Sequence, residues 1–350
     1  MVGREHAQPI RQPSRANSII VKIAVLHANK QPYAIDERIS MLKETGLVEN
    51  VVAGGEWKSV RSVPTHVMPY LVDVNAWTTR IAMECFRARR PFIIDTGDDP
   101  GTLARNMGRP RRTSTAHDLA NRIVVGRAAA VVCRGQFHQA LLSRYARGPV
   151  HYAPDSVADD LLDEPRPEGD LNIIGTFGSV GVPKTGDRAY GWEVIDTVAY
   201  HGGALTGLIV ANGPGRGTLE ARARRRGVAN KVHVVAGMKL EALIGVLGPI
   251  GFVTSVQSND LAGWVRTTGK LPLSLGLRKY VITTAVGDAV ATLPREALVR
   301  ARDDEGIVAE IATVVDRGIP DQWAADAARR AEPFRRSFVA GELARFLNAT

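Results

Sequence analysis

Short apolar, β-branched runs alternate along almost the whole chain with stretches whose apolar positions recur every three to four residues. The runs predict strands over 21–27, 51–53, 65–72, 91–95, 129–133 and 150–153. The periodic stretches between them predict helices over 34–45, 76–89, 115–127 and 136–145. From 155 to 170 this rhythm lapses into an Asp-, Glu- and Pro-rich segment that reads as a linker. A second alternation starts at Leu171, with strands over 171–177, 205–211, 231–235, 251–256 and 280–284. Helices are predicted over 192–201, 218–226, 240–247 and 271–277. The segment 321–350 reads as helical, with Trp323, Phe334, Phe338, Leu343 and Phe346 on its apolar side. Such alternation builds parallel sheets with crossover helices. The expected fold class is therefore α/β, in two successive domains, with ligands beyond the carboxyl ends of the strands in the cleft between them.

Composition changes this picture little and charge changes it more. Hydrophobic content of 45% and charged content of 23% are those of an ordinary globular chain. No run approaches the about 18 apolar residues of a membrane-spanning helix. Residues 1–17 are polar and basic, lack an apolar core of a secretory signal, and are expected to be a disordered tail. Cys85 and Cys133 sit in apolar stretches without metal-ligand spacing, which fits reduced core residues and a cytoplasmic location. The formal charge of +9 biases the protein toward anionic partners. With 6% aromatic residues and no recognition motif, nucleic acid is not the expected one. A nucleotide donor, or a phosphate-bearing acceptor at a membrane surface, remains.

Candidate chemistry collects in the second half. The segment 259–272, Asn-Asp-Leu-Ala-Gly-Trp-Val-Arg-Thr-Thr-Gly-Lys-Leu-Pro, follows a predicted strand and opens a short helix. Thr267, Thr268, Gly269 and Lys270 supply hydroxyls, a pliable backbone and a cation where amide N–H groups are free, an arrangement suited to a diphosphate. A threonine cap with a solvated lysine uses the same residues. Asp260 and Arg266 flank this junction. The turn 212–220, with Asn212 and Gly213, lacks the dinucleotide spacing of glycines and the acidic residue that should follow it. Residues 263–271 miss the triphosphate P-loop by one residue and by Leu271 in place of the magnesium-binding hydroxyl. A third loop, 175–186, carries Ser179 and Lys184, the latter able to meet a phosphate as a point charge. In the first half Asp95, Asp98 and Asp99 gather at a strand end, where carboxylates either accept sugar hydroxyls, serve as a base, or cap the next segment. His27 ends the first strand, facing the expected cleft. His117, His138 and His151 lack partners at metal spacing, so neither a metal nor another cofactor is expected. No Gly-x-Ser-x-Gly elbow points to a hydrolase.

In order and spacing, the loop 178–186, the turn 212–220 with the following 226–232, and Thr268-Gly269-Lys270-Leu271-Pro272 through Tyr280-Val281-Ile282 resemble the two-domain GT-B glycosyltransferases that use nucleotide sugars. The segments 128–135 and 150–157 resemble that family's crossing between domains. The likeness is strongest over 171–289 and weak over the first 120 residues. It implies two Rossmann-like domains facing a cleft: 18–153 on the acceptor side, 154–330 binding the donor, and a C-terminal helix, 331–350, returning to the first domain. It also implies transfer of a sugar from a nucleotide-diphosphate donor to a hydroxyl of a carbohydrate or lipid-linked acceptor, in polysaccharide or glycoconjugate synthesis. The enzyme would be cytoplasmic, with peripheral contact at the inner membrane face. The expected donor residues are Ser179, Lys184, Asn212, Gly213, Asp260, Arg266, Thr267, Thr268, Gly269 and Lys270; the catalytic candidates, read from their places at strand ends and not from the resemblance, are Asp98, Asp99 and His27. Two glutamates common in the family fall at Val265 and Leu273 here, which raises the alternative of a catalytically silent binding protein.

Overall fold

The computed structural model describes residues 21–28, 33–56, 59–164, 166, 169–181, 189–266 and 268–350. The first sheet contains β1 (Lys22–His27), β2 (Val48–Ala53), β3 (Val67–Val72), β4 (Ile93–Thr96), β5 (Ala130–Cys133) and β6 (Val150–Tyr152). The second contains β7 (Asp170–Ser179), β8 (Thr206–Asn212), β9 (Val232–Ala236), β10 (Ile250–Ser255), β11 (Tyr280–Thr284) and β12 (Leu298–Val299). The strand orders are β2-β1-β3-β4-β5-β6 and β12-β11-β10-β7-β8-β9. The ladders are parallel throughout. Helices cover both faces, so central strands such as Ala130–Cys133 and Tyr280–Thr284 are buried on both sides and read as unbroken apolar runs.

In the second sheet the strand order reverses between β7 and β10, and crevices open at such switch points beyond the carboxyl ends of the strands. β7 extends two residues past its expected end, carrying Gly178 and Ser179 to the edge of that crevice. The segment after β6 is less open than its composition suggests. A short helix, Asp159–Asp163, buries Leu161 and Leu162 in the core of the second domain. Helices at Pro100–Asn106, Leu261–Val265 and Asp304–Arg317 were not expected; each starts on an aspartate cap, Asp99, Asp260 and Asp303.

The last helix, Arg336–Asn348, packs on the first domain. Val339, Ala340, Leu343 and Leu347 are buried with Ile23, Ile39 and Leu42, and Arg336 pairs with Glu37 at 2.6 Å and Glu44 at 3.3 Å. The chain therefore passes between domains twice, and the two passages touch. The Val157 N–H donates to the Phe334 carbonyl and the Arg336 N–H to the Val157 carbonyl, both at 2.9 Å, forming a parallel bridge.

Candidate functional site

The switch point supplies one wall of a cleft. At the end of β7, Gly178 has φ +134°, a conformation side-chain-bearing residues rarely adopt, and a Cβ there would lie 2.9 Å from Lys270 Cε. The glycine thus lets the lysine stem cross the strand end. The Lys270 ammonium sits 3.4 Å from the centre of the Tyr190 ring. Behind it lies Glu193, 1% exposed, which accepts a 2.8 Å hydrogen bond from Thr254 Oγ1. Burial pulls the Lys270 ammonium well below the ordinary lysine range, with the Glu193 charge opposing. Burial likewise raises Glu193, against hydrogen bonds from backbone N–H groups and Thr254. Nearby polar side chains tie the strand ends together: Thr176 Oγ1 donates to the Thr254 carbonyl at 2.8 Å, and the Ser255 and Thr268 hydroxyls are 3.3 Å apart.

The opposite wall grows from a buried network under the first sheet. Asp95 is 0% exposed and pairs with Arg38 Nε at 2.6 Å, accepts from the Tyr70 hydroxyl at 2.8 Å, and faces Arg134 Nε at 3.5 Å. Burial alone would raise its pKa, but Arg38 and Arg134 outweigh it and hold the carboxyl below the usual range. Arg134 in turn meets Asp73 at 2.9 Å and Asp155 at 3.8 Å, and lies so close to Gly97 that a Cβ there would meet its Cδ at 2.8 Å. Burial opposes the charge of Arg134, yet these carboxylates together raise its pKa well above normal. Asp98 closes the rim by pairing with Arg266 of the second domain at 3.2 Å.

Between the walls lies a cleft of ≈ 1010 Å³, part of it open to solvent. It is lined from the second domain by Val210, Met238, Leu243, Gly178, Ser179, Thr268 and Lys270, and from the first domain and the chain after β6 by Gly97, Asp98, Arg134 and Asp155. The lining thus combines apolar side chains, hydroxyls, a lysine and a set of paired arginines and carboxylates.

Of the residues expected from sequence, Asp98, Ser179, Asn212, Arg266, Thr268, Gly269 and Lys270 line this one cleft. Four others serve elsewhere. Asp99 caps the helix Pro100–Asn106 by accepting from the Thr102 N–H at 2.8 Å. Asp260 caps Leu261–Val265 and accepts from Asn106 Nδ2 at 2.8 Å across the domain boundary. His27 is 3% exposed, its Nδ1 2.9 Å from the Ala28 carbonyl oxygen. Gly213 turns the chain against the backbone of Val180. Lys184 and Thr267 lie outside the described residues. Val265 and Leu273, where the family's glutamates would fall, are 0% and 1% exposed and belong to the packed interior. Sequence reasoning passed over Arg134, Asp155, Tyr190 and Glu193; the one signal available was a charged residue just after a predicted strand, as at Arg134 and Asp155.

Domain contacts close the cleft at its edges. The Gln136 N–H donates to Asp288 Oδ1 at 3.0 Å and Oδ2 at 3.3 Å, and the rings of Phe137 and Trp264 lie 5.5 Å apart.

No family model and no curated protein matches this sequence. Solved structures match over most of its length. Anabaena HepE, in complex with UDP and glucose, is similar with a TM-score of 0.69 at 14% identity, over 94% of this chain and 100% of that one. Sucrose-phosphate synthase from Thermosynechococcus elongatus gives 0.67 at 12% identity, over 94% and 99%. The pneumococcal O-GlcNAc transferase GtfA, in complex with UDP and GlcNAc, gives 0.62 at 10% identity, over 83% and 58%. At this level of identity the likeness establishes the fold: two Rossmann-like domains in the GT-B arrangement.

Proposed function

We propose that the protein is a glycosyltransferase that moves a sugar from a nucleotide-diphosphate donor to an acceptor hydroxyl. The observation that carries this is the convergence of Ser179 and Asn212, at the ends of β7 and β8, with Thr268 and Lys270, at a helix start, on one cleft walled by the other domain. In this reading the nucleoside lies near the apolar Met238 and Leu243, and the diphosphate meets Lys270. The sugar then lies toward Asp98 and Arg134. Cationic and hydroxyl groups fixed before the reaction stabilise charge on a departing diphosphate without reorganisation. Closure of the two domains excludes water and limits wasteful hydrolysis of the donor. HepE and GtfA were each solved with UDP, which makes UDP the first nucleotide to try. The acceptor is proposed to be a carbohydrate or lipid-linked glycan met in the cytoplasm or at the inner membrane face; among the described residues no helix is long and apolar enough to cross a membrane.

Calorimetry with UDP, GDP, ADP and dTDP tests the site, and binding of none of them overturns the reading. The buried Val265 and Leu273 motivate a second reading, a nucleotide-sugar-binding protein without turnover. Release of nucleoside diphosphate from a panel of nucleotide sugars, with and without acceptor glycans, separates the two.

A further inference from the structure

Asp155 is a largely buried carboxylate on the wall of the cleft. It is 8% exposed and lines the cleft, yet among the described residues its oxygens accept no hydrogen bond. Arg134 Nε stands 3.8 Å away, an ion pair beyond hydrogen-bond reach. An ionised carboxylate offers about four acceptor sites, and those that face the cleft are open to the hydroxyls of a ligand. Consistently, burial raises its pKa, with Arg134 opposing.

Its position is fixed from both sides. The carbonyls of Ala153 and Pro154, just before it, accept from Arg38 Nη1 at 2.9 and 3.1 Å, and Arg38 is itself locked onto Asp95. Toward the second domain, Asp155 Oδ2 is 3.5 Å from where a Cβ would sit on Gly269, the residue before Lys270. Asp155 and Lys270 line the same cleft, so a group attached to a phosphate held at Lys270 has Asp155 among its neighbouring walls.

We propose that Asp155, with Arg134 beside it, holds the hydroxyls of the transferred sugar, and that the cleft selects a neutral hexose over a uronic sugar. The inference rests on the donor reading above and deepens it. A carboxylate accepts from one hydroxyl while the neighbouring guanidinium donates to the oxygen of the next, so a vicinal pair satisfies both. A uronate finds no spare cation there. Arg134 already faces Asp73 and Asp95, and Arg266 faces Asp98. Counting Arg38, three guanidinium groups meet four carboxylates here, an excess of one negative charge that repels another carboxylate.

The test is calorimetry on the full chain with UDP, UDP-glucose, UDP-galactose and UDP-glucuronate, or the matching series for whichever nucleoside diphosphate binds. Wild type should prefer a neutral hexose over the uronate by roughly tenfold or more. Asp155→Asn should leave UDP affinity within about twofold, which also reports that the variant is folded, and weaken the best UDP-hexose roughly 10- to 100-fold. The hexose-to-uronate ratio should narrow with it. Equal losses for UDP and UDP-hexose, an unchanged hexose affinity, or a wild type that binds the uronate as tightly as the hexoses each overturns the inference while leaving the donor reading intact. Failure of every nucleoside diphosphate to bind wild type overturns the donor reading and the inference together.

Discussion

Replacing Lys270 with methionine should move activity and stability apart. In the free protein the ammonium is held by the Tyr190 ring at 3.4 Å, a contact worth about 0.5–2 kcal/mol. Against that stands the loss of water that pulls its pKa well below the lysine range. These terms oppose each other, and methionine keeps the stem that crosses Gly178. Loss of the charge facing buried Glu193 adds a cost, limited because burial already favours the neutral form of that carboxyl, so the folded state should lose no more than about 2 kcal/mol. Function should suffer more. A charge-assisted contact to phosphate is worth about 1.5–3 kcal/mol, or roughly 10- to 100-fold in affinity or rate. Because negative charge grows on the diphosphate as the sugar leaves, turnover should fall further than donor affinity.

Proton linkage gives an independent reading of the same lysine. Its pKa is lowered in the free protein, and a bound diphosphate favours the ammonium and raises it. Between those two values donor binding takes up a proton, and affinity declines with rising pH by up to about tenfold per unit. Calorimetry in buffers of different ionisation enthalpy counts that proton, and the methionine variant should take up none. If Lys270→Met retains wild-type donor affinity and turnover, and wild type takes up no proton, then Lys270 is a packing residue and the diphosphate lies elsewhere.

Four further outcomes follow from the geometry. Gly178→Ala must adopt φ +134° and press on Lys270 Cε, so thermal melts should show a loss of about 1–3 kcal/mol and calorimetry a weaker nucleotide; a variant matching wild type in both refutes the close-approach argument. Arg38→Met leaves Asp95 buried beside fewer cations and should cost about 3–5 kcal/mol in urea titrations. For wild type the Asp95 pKa is lowered on folding, so its contribution is present above the unfolded value of about 3.9 and lost as pH falls through the lower native value; Asp95→Asn should abolish that part of the acid dependence. Asp288→Ala removes the acceptor of the Gln136 N–H across the domains, a contact worth about 1.5–3 kcal/mol, and should enlarge the radius of gyration in solution scattering; an unchanged radius places the domain clasp elsewhere.

The strands and most helices were legible because parallel sheets covered on both faces leave unbroken apolar runs, as at Gly251-Phe252-Val253-Thr254. Helices at 100–106 and 261–265 were not, because they span less than two turns and carry no apolar period. The second-domain wall could be read because Thr268, Gly269 and Lys270 are consecutive. The first-domain wall could not. Arg38, Asp95, Arg134 and Asp155 lie far apart in sequence, and only the adjacency of β4, β5 and the chain after β6 brings them within about one side chain of each other. Asp99 and Asp260 misled for a chemical reason: a carboxylate that can accept a sugar hydroxyl can equally accept the N–H groups of a helix start.

The paired passages between domains have a mechanical consequence. A lone tether would let one domain swivel as well as bend against the other. Here the segments around Val157 and Arg335 are stitched by hydrogen bonds on either side of Val157, and Arg335 also grips Asp163 at 2.8 Å. Swivelling would shear that stitching, whereas bending across it leaves the bonds nearly intact. A flat strap of this kind has a single soft direction, so any closure across it would return the two walls in the same alignment.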